Sequence, residues 1–197
     1  GTAISTVNVE TGVVKQLCKF MNEPSDLTWA PDGQIYFING TPVDKESGGR
    51  AVYKVDSEAT SAGFVKVACG VDDDAADLRV VGEKLLLNRN VRQVDVISEL
   101  GGKDVFRENK EFWVWDVFYD RETGIPKLAA SLSDVNTPYD VFIIEAGNDK
   151  LKLSDHGKPL RNHQFGPCTV LTCQSSDGEV ELDSLYLRPP SKTGPKG

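Results

Sequence analysis

His156 and His163 are the only imidazoles in the 197-residue sequence, so a general base working near neutral pH has few places to reside. Both lie in HGKPLRNHQFGPC, a stretch with two prolines, two glycines and no serine in a recognisable nucleophile setting. They read as solvated or hydrogen-bonded histidines of a connecting segment. The acidic run Asp72, Asp73 and Asp74, joined by Asp77, invites a calcium reading. A hard-cation loop, however, alternates its ligands, turns on a glycine and ends on a distal glutamate. The run does none of these, and it reads as a solvated loop. Cys18, Cys69, Cys168 and Cys173 make no C-x-x-C and no Cys/His pairing at zinc spacing. If Cys168 and Cys173 share a strand, their odd separation puts them on opposite faces, which argues against a bridge. The four thiols are expected to be reduced and buried in the core.

Trp113 and Trp115, two apart in FWVWD, are expected on one face of a strand, packed into the core; Trp29 is expected to pack as well. Arg89, Arg92 and Glu99 are candidates to meet the charged ends of a peptide, although sequence does not orient them. Asp32 and Asp177 each precede a glycine and read as turn residues. No residue is therefore assigned a catalytic, cofactor-binding or metal-binding role, and no cofactor is expected.

Composition narrows the partners. The formal net charge is −8, which disfavours a nucleic-acid backbone as ligand. No run reaches the roughly 20 apolar residues of a membrane-spanning helix, and no membrane partner is expected. GTAISTVNVE carries neither a basic start nor an apolar segment, so no signal peptide is read there. Reduced-looking cysteines favour a cytoplasmic location, while the sequon Asn39-Gly40-Thr41 keeps secretion open.

The hydrophobic period is two along nearly the whole chain. AISTVNVETGVVKQL gives strand, turn at Glu10-Thr11-Gly12, strand. SDLTWAPDGQIYFING repeats the scheme around Pro31-Asp32-Gly33, and RAVYKVD and GFVKVACG follow. A second set is ADLRVVG, EKLLLNRN, VRQVDVISE and KDVFREN; a third is FWVWDVFYD, PKLAASLSD, YDVFIIEAG and KLKLSD. The nearest approach to an amphipathic helix, DDDAADLRVVGEKLLL, is interrupted by Gly82. Three groups of four strands at a spacing of roughly 40–45 residues predict an all-β partial β-propeller over residues 1–155. Residues 3–19 read as the outer end of a preceding blade. Residues 156–166 form a linker, and residues 167–197 read as the opening strands of a further domain around Ser176-Asp177-Gly178. Three blades and a remnant leave edges unpaired, so the chain is expected to be part of a longer polypeptide.

That order of parts resembles the prolyl-oligopeptidase family of serine hydrolases, in its acylaminoacyl-peptidase and dipeptidyl-peptidase-like branch. LTWAPDGQIYFI is similar to a W-x-P-D-G blade, AASLSDVNTPYDVFII to a last blade, and KLKLSDHGKPL to the exit from the propeller. LTCQSSDGEVELDSLYLRPP is similar to the entry into the α/β-hydrolase domain. The resemblance implies a propeller that filters short peptides towards a Ser-His-Asp triad carried further along the chain. The 197 residues contain no G-x-S-x-G elbow and no His-Gly-Gly loop, so no triad lies within them. Expected partners are the remainder of the same polypeptide and a short peptide or small acyl substrate, with self-association into a homo-oligomer left open. A non-enzymatic propeller that binds a protein partner is the alternative. A third reading, a lactonase or sugar-hydrolase propeller, needs metal or paired carboxylates that do not stand out.

Overall fold

The computed structural model describes residues 1–41, 48–58, 63–70, 73–145, 149–160, 162–163 and 166–190. Asp72 of the acidic run lies outside the described residues. The chain is all-β: sixteen strands, one short 3-10 turn at Lys158–Leu160, and no α-helix among the described residues. The paired strands are antiparallel, and they form three four-stranded meanders and two hairpins among the described residues. Two compact units divide it. The first holds Gly1–Asn109 and Val117–Pro126, the second Lys110–Asp116 and Lys127–Gly197.

In the first unit, β1 (Thr2–Val7) and β2 (Val14–Phe20) make a hairpin. Asn8 Oδ1 accepts from the amides of Glu10 and Thr11 at 3.0 and 2.8 Å, and Gly12 takes φ 69°. An Asx side chain and a left-handed glycine thus supply the turn that alternation alone could not. The first meander is β3 (Ser25–Trp29), β4 (Gln34–Thr41), β5 (Gly49–Asp56) and β6 (Val65–Ala68). The second is β7 (Asp73–Val81), β8 (Lys84–Val91), β9 (Val94–Glu99) and β10 (Asp104–Glu108). Gly82, at φ 63°, reverses the chain between Val81 and Lys84; this is why the stretch nearest to a helix folds as two strands.

The first meander is covered on both faces, which explains the nearly continuous apolar run in β4. Ile35 and Phe37 face Ile4, Leu17, Cys18 and Phe20 of the β1–β2 hairpin. The alternate residues Tyr36 and Ile38 pack with Ala75, Leu78 and Leu87 of the second meander. Phe37 sits 5.0 Å from Phe20 and 5.7 Å from Tyr53, ring centre to ring centre. Fully burying one such ring contributes about 2–3 kcal/mol.

The expectation for Trp29 is corrected: it is 61% exposed, and Ala30 enters the core instead. Asp26 takes a left-handed φ of 53°, and the β3–β4 register breaks between Ser25 and Thr28. That break leaves Leu27 and Trp29 facing outward on an edge strand.

The second unit contains the third meander: β11 (Glu111–Tyr119, its first residues), β12 (Pro126–Asp134), β13 (Thr137–Glu145) and β14 (Lys150–Lys152). Trp115, Leu128, Leu132 and Ile144 are its largest fully buried side chains. The tryptophan pair is a second correction. Trp115 is 2% exposed and Trp113 67%, because two successive exposed residues, Trp113 and Val114, separate buried Phe112 from buried Trp115. The extra residue shifts the period-two phase, so spacing by two no longer means one face.

The last hairpin pairs β15 (Cys168–Gln174) with β16 (Glu181–Leu187) in unbroken register. Its turn is the expected one, with Gly178 at φ 76°. Val170 and Leu185, paired on one face, and Leu171, Leu182 and Tyr186 on the other are all exposed.

Candidate functional site

The densest polar constellation in the second unit surrounds Asp140, on β13. Alternation along TPYDVF turns its side chain inward, where it is 4% exposed. Asp140 accepts from Lys152 Nζ at 2.6 Å, from the His156 amide at 2.6 Å and from the Ser154 hydroxyl at 2.8 Å. Burial works against the ionised carboxyl. The three donors, led by Lys152, outweigh it and hold the Asp140 pKa at about 2. Lys152 also faces Asp155 at 3.5 Å. Asp140, Lys152 and Asp155 border an open cleft of about 250 Å³, lined also by Gly157, Leu160 and His163. The short turn at Lys158–Leu160 brings His163 there through its amide bond to the Leu160 carbonyl.

Serine, histidine and aspartate therefore meet in one place, and their geometry decides what they can do. His156 Nδ1 is 3.0 Å from the Tyr139 carbonyl oxygen, 3.5 Å from Ser154 Oγ and 3.7 Å from Asp140 Oδ1. A carbonyl can only accept, so Nδ1 carries the proton and donates to it. The same nitrogen cannot also take a proton from Ser154, whose hydroxyl is already given to Asp140. A nucleophilic triad instead needs one ring nitrogen on the serine and the other on the carboxylate. The cluster is a clamp that ties β13 to the segment after β14, and Ser154 is not an activated nucleophile. His156 is hydrogen-bonded through its ring Nδ1 and its amide, and His163 through its amide.

The remaining candidates have separate tasks. Arg89 bridges Asp73 at 2.7 Å and Asp104 at 2.9 Å. Burial lowers the stability of its charge, and the two carboxylates more than restore it. Asp74 accepts the Arg50 amide, and Asp77 holds Arg79 at 2.9 Å. The described part of the acidic run is thus spent on the protein itself. Among the described residues no group of three or more His, Cys, Asp or Glu side chains is placed to hold a metal. Glu99 pairs with Lys84, whose ammonium lies 4.9 Å over the Tyr119 ring. Arg92, at φ 56°, forms the two-residue turn between β8 and β9. Nothing brings Arg89, Arg92 and Glu99 to a common point.

The reading of four core thiols is corrected. Cys18 is buried, Cys69 and Cys168 are half-buried, and Cys173 is exposed; all four are free. Cys168 and Cys173 share β15 and, five residues apart, face opposite ways. Burial and the neighbouring Asp73 carboxylate push the Cys69 thiol up to about 12. Asn39 of the sequon is buried in β4, so the folded chain does not offer its amide for glycosylation. Sequence reasoning passed over Asp140, Lys152 and Ser154. The available signal was an aspartate in the inward phase of the apolar strand YDVFII, a position that requires donors nearby.

The chain matches no family model and no curated protein. Among the described residues no helix is long and apolar enough to cross a membrane.

Proposed function

We propose that this chain forms part of the β-propeller of a serine hydrolase that cleaves short peptides or related amide or ester bonds. On this reading the three meanders are consecutive blades. The β15–β16 hairpin opens the catalytic α/β domain, and the Ser-His-Asp triad lies outside these 197 residues. The clamp at Asp140 fits the same picture: it fixes the segment that leaves the last blade towards that domain.

The observation that carries the proposal is the hairpin. It follows the third meander, turns at Ser176-Asp177-Gly178 and runs into Pro189-Pro190, and it leaves apolar side chains exposed on both faces. A two-stranded hairpin is marginal alone. Apolar residues on both faces are the pattern of a strand pair inside a larger covered sheet.

The test is activity-based labelling with a fluorophosphonate, applied to the native polypeptide that carries this sequence. The expected result is covalent labelling of that polypeptide at a serine of a G-x-S-x-G elbow, with no label on Ser154 or any other serine of residues 1–197. An unlabelled polypeptide that co-purifies with a protein partner supports the interaction-module reading and overturns this one.

A further inference from the structure

Three side chains converge on the outward face of the third meander. Glu111 and Trp113 flank the buried Phe112 on β11, so they stand on one face of the strand, and Trp113 is 67% exposed. Tyr139 lies on β13, with β12 between the two strands. Its ring centre is 5.7 Å from that of Trp113, and its hydroxyl donates to Glu111 Oε2 at 2.7 Å. Strands two apart in a sheet are separated by about 10 Å, so both contacts reach across β12. The outward positions of β12 are Ala129, Ser131 and Ser133, small enough for side chains from either neighbour to lean together above them.

The chemistry of this corner selects its ligand. Tyr139 covers part of the indole and leaves most of it to solvent, and an indole face is the side-chain surface that attracts a cation best. Beside it, Tyr139 steadies Glu111 through one oxygen, and a carboxylate keeps acceptor sites on the other. Lys110, the preceding residue, is taken up by Asp134 and Thr137. An apolar ligand would strip water from Glu111 and return no hydrogen bond, and an anion would meet a chain of net charge −8. A guanidinium is flat, stacks on an aromatic ring and forks to a carboxylate, whereas an ammonium acts as a point charge. We propose that Trp113, Tyr139 and Glu111 form a binding subsite for an arginine side chain of a peptide, with the guanidinium stacked on the open face of Trp113 and hydrogen-bonded to Glu111.

The roles differ. Trp113 and Glu111 touch the ligand, while Tyr139 positions both: its ring props the indole and its hydroxyl orients the carboxylate. The subsite lies wholly on β11, β12 and β13 of the second unit. It needs no hydrolase, and its test reads binding rather than cleavage, so a polypeptide without hydrolase activity leaves it standing.

The test is fluorine NMR of the native polypeptide that carries this sequence, with fluorotryptophan in place of tryptophan and signals assigned from Trp113→Phe and Trp29→Phe. Titration with the peptide acetyl-Gly-Arg-Gly-amide should move the Trp113 signal to saturation. It should leave the signal of Trp29, similarly exposed at 61%, in place. The lysine peptide should bind more weakly, and the citrulline peptide, which keeps the shape without the charge, should not bind. Glu111→Gln should weaken binding about tenfold and Tyr139→Phe about threefold, as a charged and a neutral hydrogen bond are lost in turn. A Trp113 signal that stays still, moves together with that of Trp29, or answers equally to citrulline overturns the subsite. Equal binding by wild type and Glu111→Gln overturns it as well. If that variant fails to fold, the citrulline comparison on the wild type decides.

Discussion

The Ser154 hydroxyl donates to Asp140 at 2.8 Å, while the His156 ring nitrogen stands 3.5 Å away from it. Asp140 is the acceptor that organises the cluster, and Ser154 is one of its donors. Ser154→Ala is therefore expected to leave any hydrolase activity of the native polypeptide within about twofold, because no proton relay passes through it. Asp140→Asn should cost about 2 kcal/mol, since an inward-facing carboxylate with charged and neutral donors is replaced by a poorer acceptor. Chemical denaturation of both variants checks the difference.

Asp140 also sets an acid limit. Its pKa is depressed to about 2 in the folded state, so the stability it contributes is present above the unfolded value near 4 and lost as pH falls from there towards 2. Wild type should lose stability across that window more steeply than Asp140→Asn. Equal slopes in urea titrations at pH 2.5 to 5 would remove Asp140 from the acid limb.

The tryptophans separate by burial. Trp115→Ala should cost about 3–5 kcal/mol, the range for truncating a large core aromatic. Trp29→Ala should stay within about 0.5 kcal/mol in this chain, as its ring is mostly exposed, and Trp113→Ala within about 1 kcal/mol, as its ring also packs 5.7 Å from that of Tyr139. The same contrast should appear in acrylamide quenching, with the fluorescence of Trp115 protected and that of the other two accessible.

The thiols should react in an order set by exposure and charge. At pH 8 a maleimide should modify Cys173 first and leave Cys18 and Cys69 untouched until the chain unfolds. Cys18 is buried with its pKa raised by desolvation, and Cys69 is pushed to about 12. Mass spectrometry of the early product would sink this assignment by finding the adduct on Cys18 or Cys69.

Arg89 reaches two carboxylates with one guanidinium fork. Arg89→Lys offers a single ammonium and cannot span both, so it should lose about 1 kcal/mol, with a larger loss for Arg89→Ala. Thermal melts at low and high salt check this: wild type should lose part of its advantage over Arg89→Ala as salt screens the half-exposed Asp104.

The strands are legible in the sequence because period-two alternation and turn chemistry are local. Pro31-Asp32-Gly33, Gly82 and Ser176-Asp177-Gly178 announce reversals through backbone angles that few other residues adopt, and the sixteen strands fall between such points. The four-strand grouping followed from the same signals. Trp29 and Trp113 were misplaced because a single extra or twisted residue upstream inverts the face of everything after it, and neither Asp26 nor Val114 advertises that in the sequence. The clamp and the Arg89 bridge were hidden for another reason. Asp140 and Ser154 are 14 residues apart, and Arg89 is 16 from Asp73 and 15 from Asp104. Residue types and local angles determined the all-β chain and its reversals. Which side chains become hydrogen-bond partners was decided only when separate strands were brought within about 3 Å, the distance over which hydrogen bonds act.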